Sequence, residues 1–232
     1  MPMHSRRTFL QQAGAVSLAF GGLARAVNAR QLTVTPFGYG PLQRDPAGVL
    51  DLPKGFSYRL LSQAGTAMDD GLAVPGKHDG MAAFSGPAGS TVLMRNHEIA
   101  ATHTKVHSPF GERFERLHNA DLARLYDPGR SIFGNVMPCR GGVTRVVYDT
   151  RRQRIIEQHL ALGGTEYNCA GGMTPRRTWI SCEEIVRGPE HGSPWTKPHG
   201  YCFEVPVDGS GLCPAEPIVP MGRFRHEAVA VD

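Results

Sequence analysis

Carboxylates and one thiol gather at the ends of apolar segments in this chain. Glu98 follows Asn96 and His97, Glu183 and Glu184 follow Cys182, and Glu227 follows His226. If those segments are strands whose ends converge, the acids repel one another unless a cation neutralises them. Hard oxygen ligands favour calcium or ferric iron, and a thiolate adds a preference for a transition metal. Other chemistries lack their residues: there is no Cys-x-x-Cys, no His-Glu-x-x-His, no Gly-x-Ser-x-Gly and no Walker loop. Taken singly, each residue has a plainer reading. Glu98 is then a solvated strand-end acid, Glu183-Glu184 a surface pair and Cys182 a small core hydrophobe. Adjacent strand residues point to opposite faces, so at most one of the two glutamates lies on the face opposite Cys182. His78, His97 and His226 adjoin acids and read as hydrogen-bond partners that orient them.

The elements that must position these residues are short. Apolar runs over residues 57–61, 81–85, 91–95, 143–148, 154–162, 178–182, 201–205 and 228–231 read as strands. Residues 149–153 and 208–211 read as hairpin turns. One helix is predicted, over residues 112–126, where Phe114, Leu117, Leu122 and Leu125 form an imperfect stripe. It falls in residues 100–139, which otherwise lack a strand pattern and read as a helical insertion. A degenerate repeat is visible. Asp79-Gly80-Met81 and Ala170-Gly171-Gly172-Met173 each lead through a turn to a strand ending in a carboxylate. Gly142–Asp149 matches Gly200–Asp208 in the same way, and a further unit opens at His226. The expectation is an all-β chain, a β-propeller with about three units present. A β-sandwich is the competing architecture. Because a propeller closes with about 4–8 blades, the chain is expected to be a truncated one.

Composition excludes other classes. The chain has 232 residues, 25 Lys+Arg, 21 Asp+Glu and a net charge of +4, and Arg6, Arg7 and Arg25 supply most of that excess. The remainder is nearly neutral, with no dense basic run, which argues against nucleic-acid binding. A hydrophobic share of 41% is enough for a core, and 28 Gly with 18 Pro argue against a helix bundle. Ser5-Arg6-Arg7-Thr8-Phe9-Leu10 is a twin-arginine export pattern, followed by an apolar run over residues 13–24 and small-x-small cleavage sites ending at Ala29. That run is too short to span a membrane. Residues 1–29 are therefore expected to be a signal peptide, residues 30–232 the mature chain, and the location periplasmic or secreted. The route carries folded proteins, often with a cofactor already loaded. Five cysteines leave at least one unpaired. Cys139, Cys169, Cys202 and Cys213 could form disulfides after export, while Cys182 is expected to stay a thiol or thiolate.

At these motifs the chain resembles the PhoX-type alkaline phosphatases. The resemblance is carried by Lys77-His78-Asp79-Gly80-Met81, Arg95-Asn96-His97-Glu98, Asn168-Cys169-Ala170-Gly171-Gly172-Met173-Thr174-Pro175, Thr178-Trp179-Ile180-Ser181-Cys182-Glu183-Glu184 and Gly222-Arg223-Phe224-Arg225-His226-Glu227-Ala228-Val229-Ala230. It covers most of residues 50–232, the N-terminal part of the family's longer chains. It implies a six-bladed propeller with iron and calcium in the central channel and hydrolysis of phosphate monoesters outside the cell membrane. It implies that Cys182 matches the family's iron-binding cysteine and that Glu227 is an iron-side carboxylate. Glu98, Glu183 and Glu184 are implied as carboxylates for iron or calcium, with Asn96 and Asn168 as neutral oxygen ligands. No side chain is identified as the nucleophile; a metal-bound oxo or hydroxo group is expected in that role. Small phosphate esters and the export machinery are the expected partners, and the full-length protein is expected to be a monomer. The present chain alone is expected to be unstable and inactive. Arg176-Arg177 stand where many relatives have Trp-Gly; they read either as an exposed turn or as a change in substrate reach.

Two other functions fit parts of the pattern. One is a calcium-stabilised, non-catalytic binding propeller, and the other is a propeller lactonase-type hydrolase with a single divalent cation. Neither has a use for the Cys182 thiolate, so Cys182→Ser separates them from the phosphatase.

Overall fold

A computed structural model describes residues 38–232. The signal peptide expected over residues 1–29 lies outside the described residues. The chain divides into two compact units, at residues 59 and 60. In the first, strands β1 (Leu42–Gln43) and β2 (Leu52–Pro53) pair antiparallel. The turn between them is organised by Asp45, whose carboxylate accepts from the backbone of Ala47, Val49 and Leu50 and from the Tyr58 hydroxyl.

The second unit holds seven strands: β3 (His78–Ser85), β4 (Thr91–His97), β5 (Gly141–Asp149), β6 (Arg154–Thr165), β7 (Asn168–Met173), β8 (Thr178–Glu183) and β9 (Cys202–Pro206). The first four form one antiparallel meander in sequence order, and the last three form a second. Five expected strands, over residues 81–85, 91–95, 143–148, 154–162 and 178–182, lie within β3, β4, β5, β6 and β8, and β9 begins one residue later than expected. Residues 57–61 and 228–231 are irregular. The Asp149 turn joins β5 to β6, its carboxylate accepting from Arg152 N. After the turn at Asp208 no return strand forms, only a single bridge between Phe203 and Pro217. Two meanders are therefore present among the described residues, where about three units were expected.

The sheets are joined by buried apolar side chains. Val92, Met94, Val143, Val147, Ala161 and Leu162 of the first sheet pack with Trp179, Phe203, Val205 and Val207 at the second. Asn96 makes the polar link across this contact. Its amide donates to Ala170 O at 2.7 Å, and its carbonyl accepts from Trp179 Nε1 at 2.8 Å and Ser181 Oγ at 3.0 Å.

The insertion between β4 and β5 corrects the expected helix. Residues 112–126 contain two single 3-10 turns, Leu117–Asn119 and Leu122–Arg124, and no α-helix. Phe114 has a left-handed backbone (φ 63°), and Asp121 caps a new turn by accepting from Ala123 N. Only part of the stripe is buried: Leu125 packs with Phe110, Met68, Leu72, Val74 and Leu160, Phe114 and Leu117 lie at the edge of that cluster, and Leu122 is exposed. Burial of those side chains, not helical periodicity, explains that part of the stripe. Among the described residues no helix is long and apolar enough to cross a membrane.

Candidate metal centre

The two hairpins β3–β4 and β7–β8 deform at the same place. In β3 the register shifts between His78 and Met81, so Asp79 and Gly80 bulge opposite Asn96. In β7 it shifts between Asn168 and Gly171, so Cys169 and Ala170 bulge opposite Cys182. A bulge re-aims a side chain and bends its strand. The faint repeat in the sequence is thus a repeat of bulges.

Glycines let the bulges and the last segment close up. A methyl group on Gly80 would sit 2.7 Å from Ala170 Cα. One on Gly172 would sit 2.3 Å from Val229 O. Without a side chain at Gly172, residues 226–229 lie directly over β7. Cys169 donates to His226 O and Glu227 O at 3.3 and 3.2 Å.

This brings Cys169 Sγ and one carboxylate oxygen each of Glu184 and Glu227 within 4.8 Å of one another. Cys169 is buried, Glu184 half-buried and Glu227 exposed. Glu98 belongs to the same electrostatic neighbourhood. Burial raises its carboxyl above the ordinary range, Asp79, Glu184 and Glu227 push it further, and Lys77 opposes them. Lys77 Nζ lies 4.0 Å from Glu98 Oε2. Burial pushes the Cys169 thiol up to about 12, with Glu227 and Glu184 adding to the shift. The donor set is the Cys169 thiol with the Glu184 and Glu227 carboxylates, and Glu98 lies beside it; burial and like charge disfavour the ionised forms of Cys169 and Glu98. A cation of iron or calcium type relieves that crowding, and the set fits one.

The sequence-derived residues separate into two groups. Glu98, Glu184 and Glu227 come together. Cys182 does not join them: it faces Cys202, with the two sulfurs 3.5 Å apart, in a small buried cluster with Cys169. Cys169, read from sequence as a disulfide candidate, is the thiol beside the acids. The signal for it was in the Asn-Cys-x-Gly-Gly run, where glycines flank a residue that a bulge can redirect. Glu183 points away from Glu184, as strand alternation requires. Its carboxylate is fully buried and accepts from Glu166 N, Gly200 N, Tyr201 N and His199. Asn96 and Asn168 are also committed elsewhere. Asn168 Oδ1 accepts from Thr165 Oγ1 and its amide donates to Ser181 Oγ. The three histidines bond backbone carbonyls, not acids: His78 to Pro75 O, His97 to Gly76 O and His226 to Gly222 O.

A second titratable cluster was not anticipated. His199 lies between Glu183 Oε1 (2.7 Å from Nδ1) and Asp127 Oδ2 (3.2 Å from Nε2), with Cys139 Sγ 3.6 Å from Nε2. The order Cys–His–Glu is that of a nucleophilic triad. Two facts make it structural. All four side chains are buried, so no substrate reaches the Cys139 thiol, and His199 is held between the Glu183 and Asp127 carboxylates and is not free to act as a base. Burial opposes charge on both His199 and Asp127. The Glu183 charge and the Asp127 hydrogen bond outweigh it and raise the imidazole's affinity for its proton. Bonds from His199 and Thr196 and from the backbone of Thr196 and Lys197 lower Asp127 to about 2. The result is a buried carboxylate–imidazolium–carboxylate link that ties the insertion to the segment before β9.

Beside Glu184 opens a cavity of about 550 Å³, lined among others by His103, Tyr167, Arg187, Trp195 and Arg225. Arg225 Nε donates to Glu184 O at 3.1 Å. The Arg176-Arg177 pair lies away from it, in the β7–β8 turn. Arg177 adopts φ 59°, where a glycine would be unstrained, and its guanidinium binds Asp208 at 2.9 Å and Ser85 O at 2.9 Å. Arg176 reaches Glu204 at 3.4 Å. Both are surface staples.

The family model for alkaline phosphatase PhoX matches residues 37–232. No curated protein matches the chain. Among solved structures, the chain is similar to Pseudomonas fluorescens PhoX in complex with vanadate, a transition state analogue. The identity is 17%, the TM-score 0.46, and the match covers 76% of this chain and 43% of that one. The chain therefore spans less than half the length of that relative.

Proposed function

The chain belongs to the PhoX alkaline phosphatase family, and from that premise we propose that it is an exported, metal-dependent phosphatase acting on phosphate monoesters. The twin-arginine pattern at Arg6-Arg7 supports export to the periplasm. Two consecutive antiparallel meanders are what propeller blades require, and six blades is the number the family implies.

The observation that carries the reading is the convergence of Cys169, Glu184 and Glu227 beside the bulges of two repeated hairpins, with Glu98 in the same electrostatic neighbourhood. Cys169 supplies the soft donor for iron, and Glu98, Glu184 and Glu227 supply hard donors for iron and calcium. Bound cations bring Lewis acidity and positive charge to phosphoryl oxygens. The remaining roles fall to the chain itself. Lys77 balances part of the Glu98 charge. Arg187 and Arg225, on the wall of the adjoining cavity, are suited to hold phosphate oxygens through their guanidinium forks. Tyr167 and Trp195 offer apolar surface to the organic part of the ester. Glu183, buried and saturated with donors, fixes the end of β8 and so aims Glu184 outward.

Elemental analysis of the protein at its natural length, purified from the periplasm, with phosphate release from a simple monoester assayed in parallel, tests the reading. Iron with calcium is expected in the wild type and in Cys182→Ser, with iron lost in Cys169→Ser. Calcium without iron in folded protein would favour the non-catalytic binding propeller and overturn the proposal.

A further inference from the structure

We propose that Cys182 and Cys202 are a disulfide site: the pair closes to a cross-strand cystine that clamps β8 to β9 behind the carboxylate cluster. The two residues are register partners in the antiparallel β8–β9 ladder. Glu183 N donates to Tyr201 O at 3.0 Å in the adjacent pair. Cys182 and Cys202 therefore occupy the non-hydrogen-bonded position, where paired side chains stand closest and Cα atoms are about 4.5 Å apart. That separation falls inside the range of about 4.4–6.8 Å that disulfides span. The sulfurs are already 3.5 Å apart, each the other's hydrogen-bonding partner. Side-chain rotation alone can bring them to bonding distance. Both side chains are fully buried, with Ile218 and Met221 packed on their cluster, so neither thiol gains contact with water when reduced.

The third cysteine of the cluster meets Cys182 only at its backbone, Cys169 Sγ lying 3.8 Å from Cys182 O. Cys169 Sγ points to His226 O and Glu227 O on the far side of β7. A Cys182–Cys202 bond thus removes the two thiols able to compete with Cys169, either by pairing with it or by taking up the same soft cation. It also fixes the strand whose end carries Glu183 and Glu184.

The step is a thiol–disulfide exchange. One thiolate attacks an oxidant of the disulfide class, such as oxidised glutathione or a protein disulfide, and releases one thiol. The second thiolate then displaces the other. Two S–H bonds break, one S–S bond forms, and two protons and two electrons leave with the oxidant as two thiols. Strand β9 is the outer member of its sheet, so its opening, or folding itself, gives access. Formation in the cell rests on the export proposed above; the chemistry in vitro does not.

The test is thiol mapping of the 232-residue chain, isolated from the periplasm and, separately, equilibrated with reduced and oxidised glutathione. Free thiols are alkylated in denaturant, and non-reduced peptides are mapped after cleavage at Asp208 to separate Cys202 from Cys213. The expected result is three alkylated cysteines of the five, with one bridge joining Cys182 to Cys202. The thermal midpoint is expected to rise by roughly 5–10 °C over the reduced chain, a rise lost in Cys182→Ser and in Cys202→Ser alike. Five free thiols in the glutathione buffer, a mixture of pairings, or a bridge that includes Cys169 would overturn the proposal. Free thiols in the periplasmic product together with the expected bridge in glutathione would support the pairing and overturn its formation in the cell.

Discussion

His199 stands between two buried carboxylates, Asp127 and Glu183. Removing it by His199→Ala leaves Asp127 and Glu183 facing each other without a proton or a cation between them. Breaking a buried pair by deleting one partner costs about 3–5 kcal/mol, so the variant is expected to lose most of its soluble, cooperatively unfolding fraction. The same link sets an acid limit. Asp127 has its folded pKa depressed from 3.8 to about 2. Its contribution is therefore present above about pH 4 and is lost as the pH falls through 2. His199 is shifted the other way; its contribution is complete below its ordinary 6.5 and survives to strongly alkaline pH. Denaturant unfolding between pH 5 and pH 2 should show a loss of about 2 kcal/mol from this carboxylate, and the Asp127→Asn variant should not show that component. None of this was legible in the sequence. Asp127, Cys139 and His199 are far apart in the chain and lie in segments without periodicity. By contrast, the opposite orientations of Glu183 and Glu184 followed from strand alternation alone.

At the scale of elements, two bulged hairpins and a glycine-permitted overlay build the candidate centre. Gly172→Ala puts a methyl group against Val229 O and is expected to lift residues 226–229 off β7, carrying Glu227 away from Cys169. The expected readout is loss of bound iron with a lowered thermal midpoint. Gly211→Ala, with nothing within 4 Å of its added methyl group, should leave both unchanged. A Gly172→Ala protein with full iron content would refute this account of how the site is assembled. The repeat of Gly-Met strands was visible in the sequence because close backbone approach demands glycine. The bulges were not, since register is a property of two strands together. Cys182 stands at a regular strand end and Cys169 inside a bulge, a difference that the pattern of either strand alone does not carry. The helix expected over residues 112–126 failed for a related reason. Three of the four apolar residues, Phe114, Leu117 and Leu125, reach the core from 3-10 turns when Phe114 takes a left-handed backbone and Asp121 caps a new start, and Leu122 stays exposed.

For residues 60–232 taken together, the two sheets should behave as one cooperative body, because the largest apolar cluster draws on both and Asn96 crosses between them. Trp179 reports on that contact directly: its ring is buried in the cluster and its Nε1–H is bonded to Asn96 across the sheets. In the wild-type chain, unfolding followed by tryptophan fluorescence and by far-ultraviolet circular dichroism should coincide. Asn96→Ala removes one amide and strands two buried donors, Trp179 Nε1 and Ser181 Oγ, so the expected cost is roughly 2–4 kcal/mol. If Asn96 couples the sheets, the fluorescence transition should move to lower denaturant ahead of the dichroism transition, as the second sheet loosens first. If Asn96 instead ligates a cation through its carbonyl, as the family resemblance implied, the two transitions should stay together and iron or calcium content should fall. Coincident transitions with unchanged metal and a loss below about 0.5 kcal/mol would show that the apolar contact alone joins the sheets.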